Sequence, residues 1–132
     1  MTRVAATAIL VLTFAAIATA ADNPPVALSV AVDTLGRGAE GTVVGIVVSV
    51  APEDRARLGN RVRLLTTLSR NGDIIDRQSA VVVLEPDGTA LLYKEWPEGS
   101  YRLRVDLDAV EGGAEGLWIG DVTAEASDVD FA

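Results

Sequence analysis

Apolar and polar residues alternate with a period of two along most of the chain after residue 25. Such alternation is typical of β-strands that bury one face. It is clearest over residues 101–108, where apolar residues at odd positions alternate with charged residues at even positions. The same reasoning predicts further strands over residues 26–32, 43–50, 61–70, 74–84, 90–96 and 117–124. The chain is therefore expected to form mostly β structure.

Turn signals separate these strands at short intervals. Asn71-Gly72 is typical of a type I′ hairpin, and Pro-Gly turns fall at residues 85–88 and 97–99. Residues 52–59 begin with proline, carry acids before arginines and end on glycine, which predicts one short helix. Seven strands with one short helix indicate an all-β fold, an antiparallel immunoglobulin-like β-sandwich.

Residues 96–105, Trp-Pro-Glu-Gly-Ser-Tyr-Arg-Leu-Arg-Val, resemble the turn and strand of bacterial immunoglobulin-like and fibronectin-III-like modules. The resemblance implies that Tyr101 forms a tyrosine corner, with its hydroxyl bonded to backbone near Trp96 or Pro97. Trp96 and Gly99 then have structural roles in the same turn. Prealbumin-like regulatory modules share a similar turn. The Cys…Trp…Cys pattern of antibody domains is absent, so no antibody-type relationship follows.

A second resemblance spans most of residues 43–122, on Pro-Glu-Asp-Arg-Ala-Arg-Leu-Gly (52–59) and Glu-Trp-Pro-Glu-Gly (95–99). These residues are similar to exported β-rich modules that accompany von Willebrand A-type domains in some bacterial proteins. The chain lacks the Asp-x-Ser-x-Ser metal motif of the A domain itself. Metal-dependent adhesion is therefore not implied.

The first twenty residues have the layout of a secretory signal peptide. Arg3 precedes an uncharged stretch, residues 4–20, which ends in the small-residue site Ala18-Thr19-Ala20. An uncleaved membrane anchor is the alternative, because 17 uncharged residues reach the lower limit for a span. Cleavage predicts a secreted or periplasmic protein with no membrane span. It leaves a β-sandwich domain over residues 21–125 and a flexible acidic tail over residues 126–132.

The composition excludes several kinds of chemistry. The 132 residues contain no cysteine and no histidine, so thiolate and imidazole catalysis, disulfides and zinc fingers are absent. Lys94, the only lysine, is expected to face solvent rather than to act as a base. A net charge of −8 argues against nucleic-acid binding. The sequence predicts a protein without catalytic residues or cofactors, and a small hydrolase is a distant possibility.

Acidic residues near the C-terminus suggest an alternative site. Asp106 and Asp108 share a strand face, and Asp121 could lie across from them on the next strand. Carboxylate oxygens placed in this way suit Ca²⁺, so a Ca²⁺- or carbohydrate-linked surface domain is an alternative function. A solvated outer face with alternating charges explains the same residues, and we favour that interpretation.

Charge and surplus apolar residues point to a binding surface. Six arginines lie between residues 55 and 77, whereas residues 105–132 contain eight acids and no basic residue. Val43 and Val47 are expected to face outward, joined by Leu65 from the next strand, and an exposed apolar patch of this kind marks partner sites. Arg61 and Arg63 would attract an acidic partner. The sequence thus predicts an exported module for protein binding or self-association.

Overall fold

The computed structural model describes residues 24–125, which form seven strands and one short helix. A 3-10 turn over Pro52–Asp54 leads directly into the helix α1 (Arg55–Leu58), between the second and third strands. The predicted signal peptide, residues 1–20, and the predicted tail, residues 126–132, lie outside the described residues. The strands are β1 (Leu28–Arg37), β2 (Thr42–Val50), β3 (Arg61–Arg70), β4 (Asp73–Val83), β5 (Thr89–Trp96), β6 (Gly99–Ala109) and β7 (Glu115–Ala124).

The strands form two sheets packed face to face. The three-stranded sheet has the order β1-β2-β5, and the four-stranded sheet has the order β4-β3-β6-β7. All neighbouring strands within the two sheets are antiparallel. The predicted antiparallel β-sandwich with a short helix is therefore confirmed.

The hydrophobic core lies between the sheets because each strand turns its alternate apolar residues inward. On β6 the four odd-numbered residues from 101 to 107 are all buried, as the alternation predicts. Each fully buried aliphatic side chain of this kind stabilises the fold by about 1.5–3 kcal/mol relative to exposure. The most deeply buried large side chains come from α1 and three strands, β2, β3 and β6, and include Ile46, Leu58, Leu64, Leu68, Leu103 and Leu107.

The two flanks of the sandwich differ. On one flank β1 and β7 approach each other, and Val26 forms a parallel bridge with Gly116 between the sheets. On the other flank lie the edge strands β4 and β5. The described residues place no strand between them, and the ammonium of Lys94 reaches from β5 to the side-chain oxygen of Gln78 on β4. This second flank is the more open of the two.

Lys94 corrects the expectation that it faces solvent. Its position alternates with that of Tyr93, so it shares the inner face of β5 with Leu92 and Trp96 and is partly buried. Burial lowers the pKa of Lys94 below its usual value, and the negative charge of Asp76 opposes that shift. The lysine is therefore held between the sheets by polar groups of β4.

The chain just before β1 is fixed by the turn around α1. The carboxylate of Asp54 accepts hydrogen bonds from the backbone N–H of Ala27 (3.1 Å) and from Arg57 (2.7 Å). Arg57 also donates to the backbone oxygen of Pro24. The Ala27 N–H, with Arg57, lowers the pKa of Asp54 although partial burial opposes this. The Asp54–Arg57 pair thus anchors residues 24–27.

Candidate functional site

The structure does not bring the three predicted apolar site residues onto one face. Val43 and Val47 lie on β2 in the three-stranded sheet, whereas Leu65 lies on β3 in the four-stranded sheet. The segment containing α1 carries the chain across the core between these strands, so sequence neighbours become members of opposite layers. The prediction that Leu65 joins Val43 and Val47 is wrong.

The protein's own chain covers part of the outer face around Val43. Val43 is only 8% exposed, and it lies opposite Glu95 on β5. The loop between β1 and β2 reaches Glu95, whose carboxylate accepts a hydrogen bond from the backbone N–H of Glu40. A bulge in β1 places Leu35 against Gly45 on the same face. Val47 is partly buried in the centre of this sheet.

The other predicted binding residues lie together on the outer face of β3. Arg61 pairs in register with Val83 of β4, and Arg63 pairs with Val81. Val81 is 53% exposed and Val83 is 59% exposed. The sequence pattern therefore identified Arg61 and Arg63 as binding residues but did not identify the apolar residues Val81 and Val83 beside them. The uninterrupted run of residues 80–84, apolar on both faces of a strand, was the signal that could have identified them.

Most exposed apolar residues lie on the two edge strands of the open flank. Six of the eight large exposed hydrophobic residues among residues 24–125 belong to β4 or β5. The other two, Leu117 and Ile119, lie on β7. We call the six residues on β4 and β5 the open-flank surface: Ile74, Ile75, Val81 and Val83 lie on β4 of the four-stranded sheet, and Leu91 and Tyr93 lie on the outer face of β5 in the three-stranded sheet.

The predicted acidic alternative does not form one cluster. Asp121 lies opposite Arg102 rather than beside Asp106, which corrects the expected juxtaposition. Each of the three carboxylates has an arginine within 4.0 Å, and within residues 24–125 no group of three or more His, Cys, Asp or Glu side chains is placed to hold a metal ion. The pairs are Arg104–Asp106 (2.9 Å), Arg63–Asp108 (3.0 Å) and Arg102–Asp121 (3.8 Å).

These pairs give the outer face of the four-stranded sheet its alternating charges. Arg104 donates two hydrogen bonds to Asp106, at 2.9 and 3.1 Å. These bonds raise the pKa of Arg104 above its usual value, with partial burial opposing the shift. Exposed pairs of this kind contribute little to stability, about 0–1 kcal/mol each. Their main consequence is that the carboxylates are engaged by neighbouring arginines.

The predicted structural residues are found together at the start of β6. The Tyr101 hydroxyl donates to the backbone oxygen of Pro97, one of the two positions expected. The Trp96 and Tyr101 rings lie 6.0 Å apart, and the Arg70 guanidinium lies 4.4 Å from the centre of the Tyr101 ring. Gly99 has a φ of +153°, and a Cβ there would lie 2.3 Å from Arg70 Nη2. The positive φ favours glycine at this turn, and a larger residue would also have to displace the end of the Arg70 side chain.

A solvent-open depression of about 560 Å³ lies beside this cluster. Hydroxyl groups of Ser69, Ser100 and Thr123 line it, together with Arg70 and Arg102. Without histidine or cysteine in the chain, no imidazole is present to activate these hydroxyls. The depression therefore offers hydrogen-bonding groups, and the carboxylate residue Asp121 is among those that line it.

Comparison with protein-family models, curated proteins and solved structures finds no match for this chain. Among residues 24–125, no helix has the length and apolar character needed to cross a membrane.

Proposed function

We propose that this protein is an exported, non-catalytic β-sandwich module that binds protein through its open-flank surface. The observation that carries the proposal is the concentration of exposed apolar residues on two neighbouring edge strands, β4 and β5. Isolated apolar residues are common on protein surfaces, but several exposed apolar residues on unpaired edge strands are typical of interaction sites. Arg61 and Arg63 border this surface on β3.

The resemblance to immunoglobulin-like and fibronectin-III-like modules supports a binding role. In immunoglobulin-type sandwiches the first, second and fifth strands share one sheet, and the third, sixth and seventh share the other. The strands of this protein are grouped in the same way, with β4 joining the sheet of β3. The bond from Tyr101 to Pro97 at the start of the sixth strand has the form of a tyrosine corner. Such modules commonly serve recognition, although fold alone does not fix function.

The side chains with catalytic potential support a protein that is not an enzyme. Lys94 is held by Gln78 between the sheets and is away from the serine hydroxyls of the depression. The carboxylates of Asp106, Asp108 and Asp121 are each paired with an arginine. Export is supported by residues 1–20, whose basic start, apolar stretch and Ala18-Thr19-Ala20 site suit signal-peptide cleavage.

Site-specific photo-crosslinking in cells that express the full chain tests this proposal. A photoreactive residue replaces Val81 on β4 in one variant and Leu117 on β7 in the matched control; the native side chains are 53% and 49% exposed. We expect the Val81 variant to form discrete protein adducts in the extracytoplasmic fraction, and the Leu117 variant to form few. Equal labelling of the two variants, or adducts only in the cytoplasm, would contradict the proposal.

A further inference from the structure

The free edge of β4 is the most extensive unpaired element of the open flank. Within the described residues β4 pairs only with β3, so its other side presents unpaired backbone groups. Nine of its eleven residues are exposed. A long exposed edge strand with apolar residues readily pairs with a strand from another chain. A strand that pairs with this edge would come from a second chain.

The sequence of β4 is complementary to itself in the antiparallel direction. Two apolar segments, residues 74–75 and 81–83, lie at its ends, and the polar segment 76–79 lies between them. Antiparallel pairing of two identical strands therefore places each apolar end against the opposite apolar end. We propose that two copies of this chain associate through β4, antiparallel about a two-fold axis at Gln78. The two four-stranded sheets then join into one continuous sheet.

The charges of β4 exclude the two registers next to this one on the N-terminal side. With the axis at Gln78, Arg77 lies opposite Ser79 of the second copy, and Ile75 lies opposite Val81 of the second copy. An axis at Asp76 or at Arg77 would place two like charges directly opposite each other, which is destabilising. The inference rests on the proposed function, since it names a partner for the open-flank surface.

The ladder between β3 and β4 is regular from Asp76 to Val83, whereas the bulge at Ser69 leaves Ile75 without a partner residue on β3. The Ile75–Val81 pairs therefore lie at the two ends of the proposed interface. The other edge strand of the open flank, β5, has eight residues against the eleven of β4, so it offers a shorter edge for pairing.

The effect of salt on binding distinguishes a second copy of the chain from an acidic partner. Two copies carry the same net charge, −8 in the full sequence, and repel each other. Added salt screens that repulsion, so self-association should become tighter as ionic strength rises. Binding of an acidic partner by Arg61 and Arg63 would instead become weaker. The direction of the salt effect therefore identifies the partner.

Sedimentation equilibrium of the protein purified from cells that express the full chain provides the first test. We expect a reversible dimer at concentrations up to about 100 µM, because an interface formed mainly by one strand is small and weak. Added salt should strengthen the dimer. Val81→Lys should weaken association by about tenfold, because in each half of the interface it replaces the apolar Val81–Ile75 cross-strand pair with a charged residue against an apolar one, and because a lysine on an edge strand discourages pairing. Leu117→Lys, at a similarly exposed site on the other edge of the same sheet, should leave association unchanged.

Disulfide crosslinking provides the second test and preserves the apolar residues. The chain has no cysteine, so Gln78→Cys introduces a single thiol at the two-fold axis. We expect oxidation to yield a covalent dimer with Gln78→Cys and none with the β7 control Ile119→Cys. A strictly monomeric wild-type protein, or no crosslink at position 78, would overturn pairing through β4. If the photoreactive Val81 variant still forms adducts with a different protein, the proposed function stands without the dimer. If it forms no adducts, the proposed function fails as well.

Discussion

Tyr101 links the start of β6 to the turn that precedes the strand. Its ring is 4% exposed, and its hydroxyl donates to the Pro97 backbone oxygen. The resemblance over residues 96–105 implied this contact, because the turn and tyrosine are adjacent in sequence and need no knowledge of the sheet order. Lys94 shows the opposite case. Its inner-face position follows from the alternation of β5, but the polar partner, Gln78, lies on another sheet and could not be inferred locally.

At the residue scale, Tyr101→Phe should destabilise the protein. The substitution keeps the buried ring but removes its part-buried hydrogen bond to the Pro97 backbone oxygen, which costs about 0.5–1.5 kcal/mol. Urea unfolding should show a lower midpoint with an unchanged slope. Tyr93→Phe, on a side chain that is 59% exposed, should change the midpoint less. Equal midpoints for wild type and Tyr101→Phe would contradict a structural role for this hydroxyl.

At the scale of elements, alternation and turn residues identified the strands well. Asn71 and Gly72 have φ values of +54° and +86°, as the expected type I′ hairpin requires. The predicted first strand was less accurate: residue 26 bridges β7, whereas β1 begins at Leu28 and continues to Arg37. A bulge at Leu35 lets β1 continue to Arg37, beyond the predicted end at residue 32. Irregular pairing of this kind depends on the neighbouring strand and leaves no clear local pattern.

The Asp54 anchor gives a pH-dependent prediction at the same scale. Its folded-state pKa lies below the reference value of 3.8, so the carboxylate stabilises the fold fully above that value. This contribution is lost as the pH falls through the folded-state pKa. Asp54→Asn should therefore lower the melting temperature by several degrees at pH 7, and the difference from wild type should shrink in acid.

Thermal melts across a pH series measure this difference. The neighbouring exposed residue supplies the control, and Glu53→Gln should have little effect at any pH. Two results would show that the carboxylate does not anchor residues 24–27. One is an Asp54→Asn melting temperature equal to that of wild type at pH 7; the other is a difference in melting temperature that stays the same in strong acid.

At the scale of the whole molecule, the partition of strands into sheets determines which surface is available. The sequence indicated surplus apolar residues and an arginine-rich segment, but it placed Val43, Val47 and Leu65 together because they follow one another along the chain. The structure separates them into opposite sheets and brings Arg61 and Arg63 beside Val81 and Val83. Long-range pairing decides such surfaces, and alternation within a strand carries no information about its partners.

The central claim is that the protein binds a partner strand along β4. Amide hydrogen exchange of the wild-type protein, measured at low and high protein concentration, tests it most directly. We expect amides within Asp73–Val83 to exchange more slowly at high concentration, since those directed away from β3 acquire acceptors, while amides within Glu115–Ala124 keep their rates. Unchanged exchange along β4, or equal slowing along β7, would contradict the account.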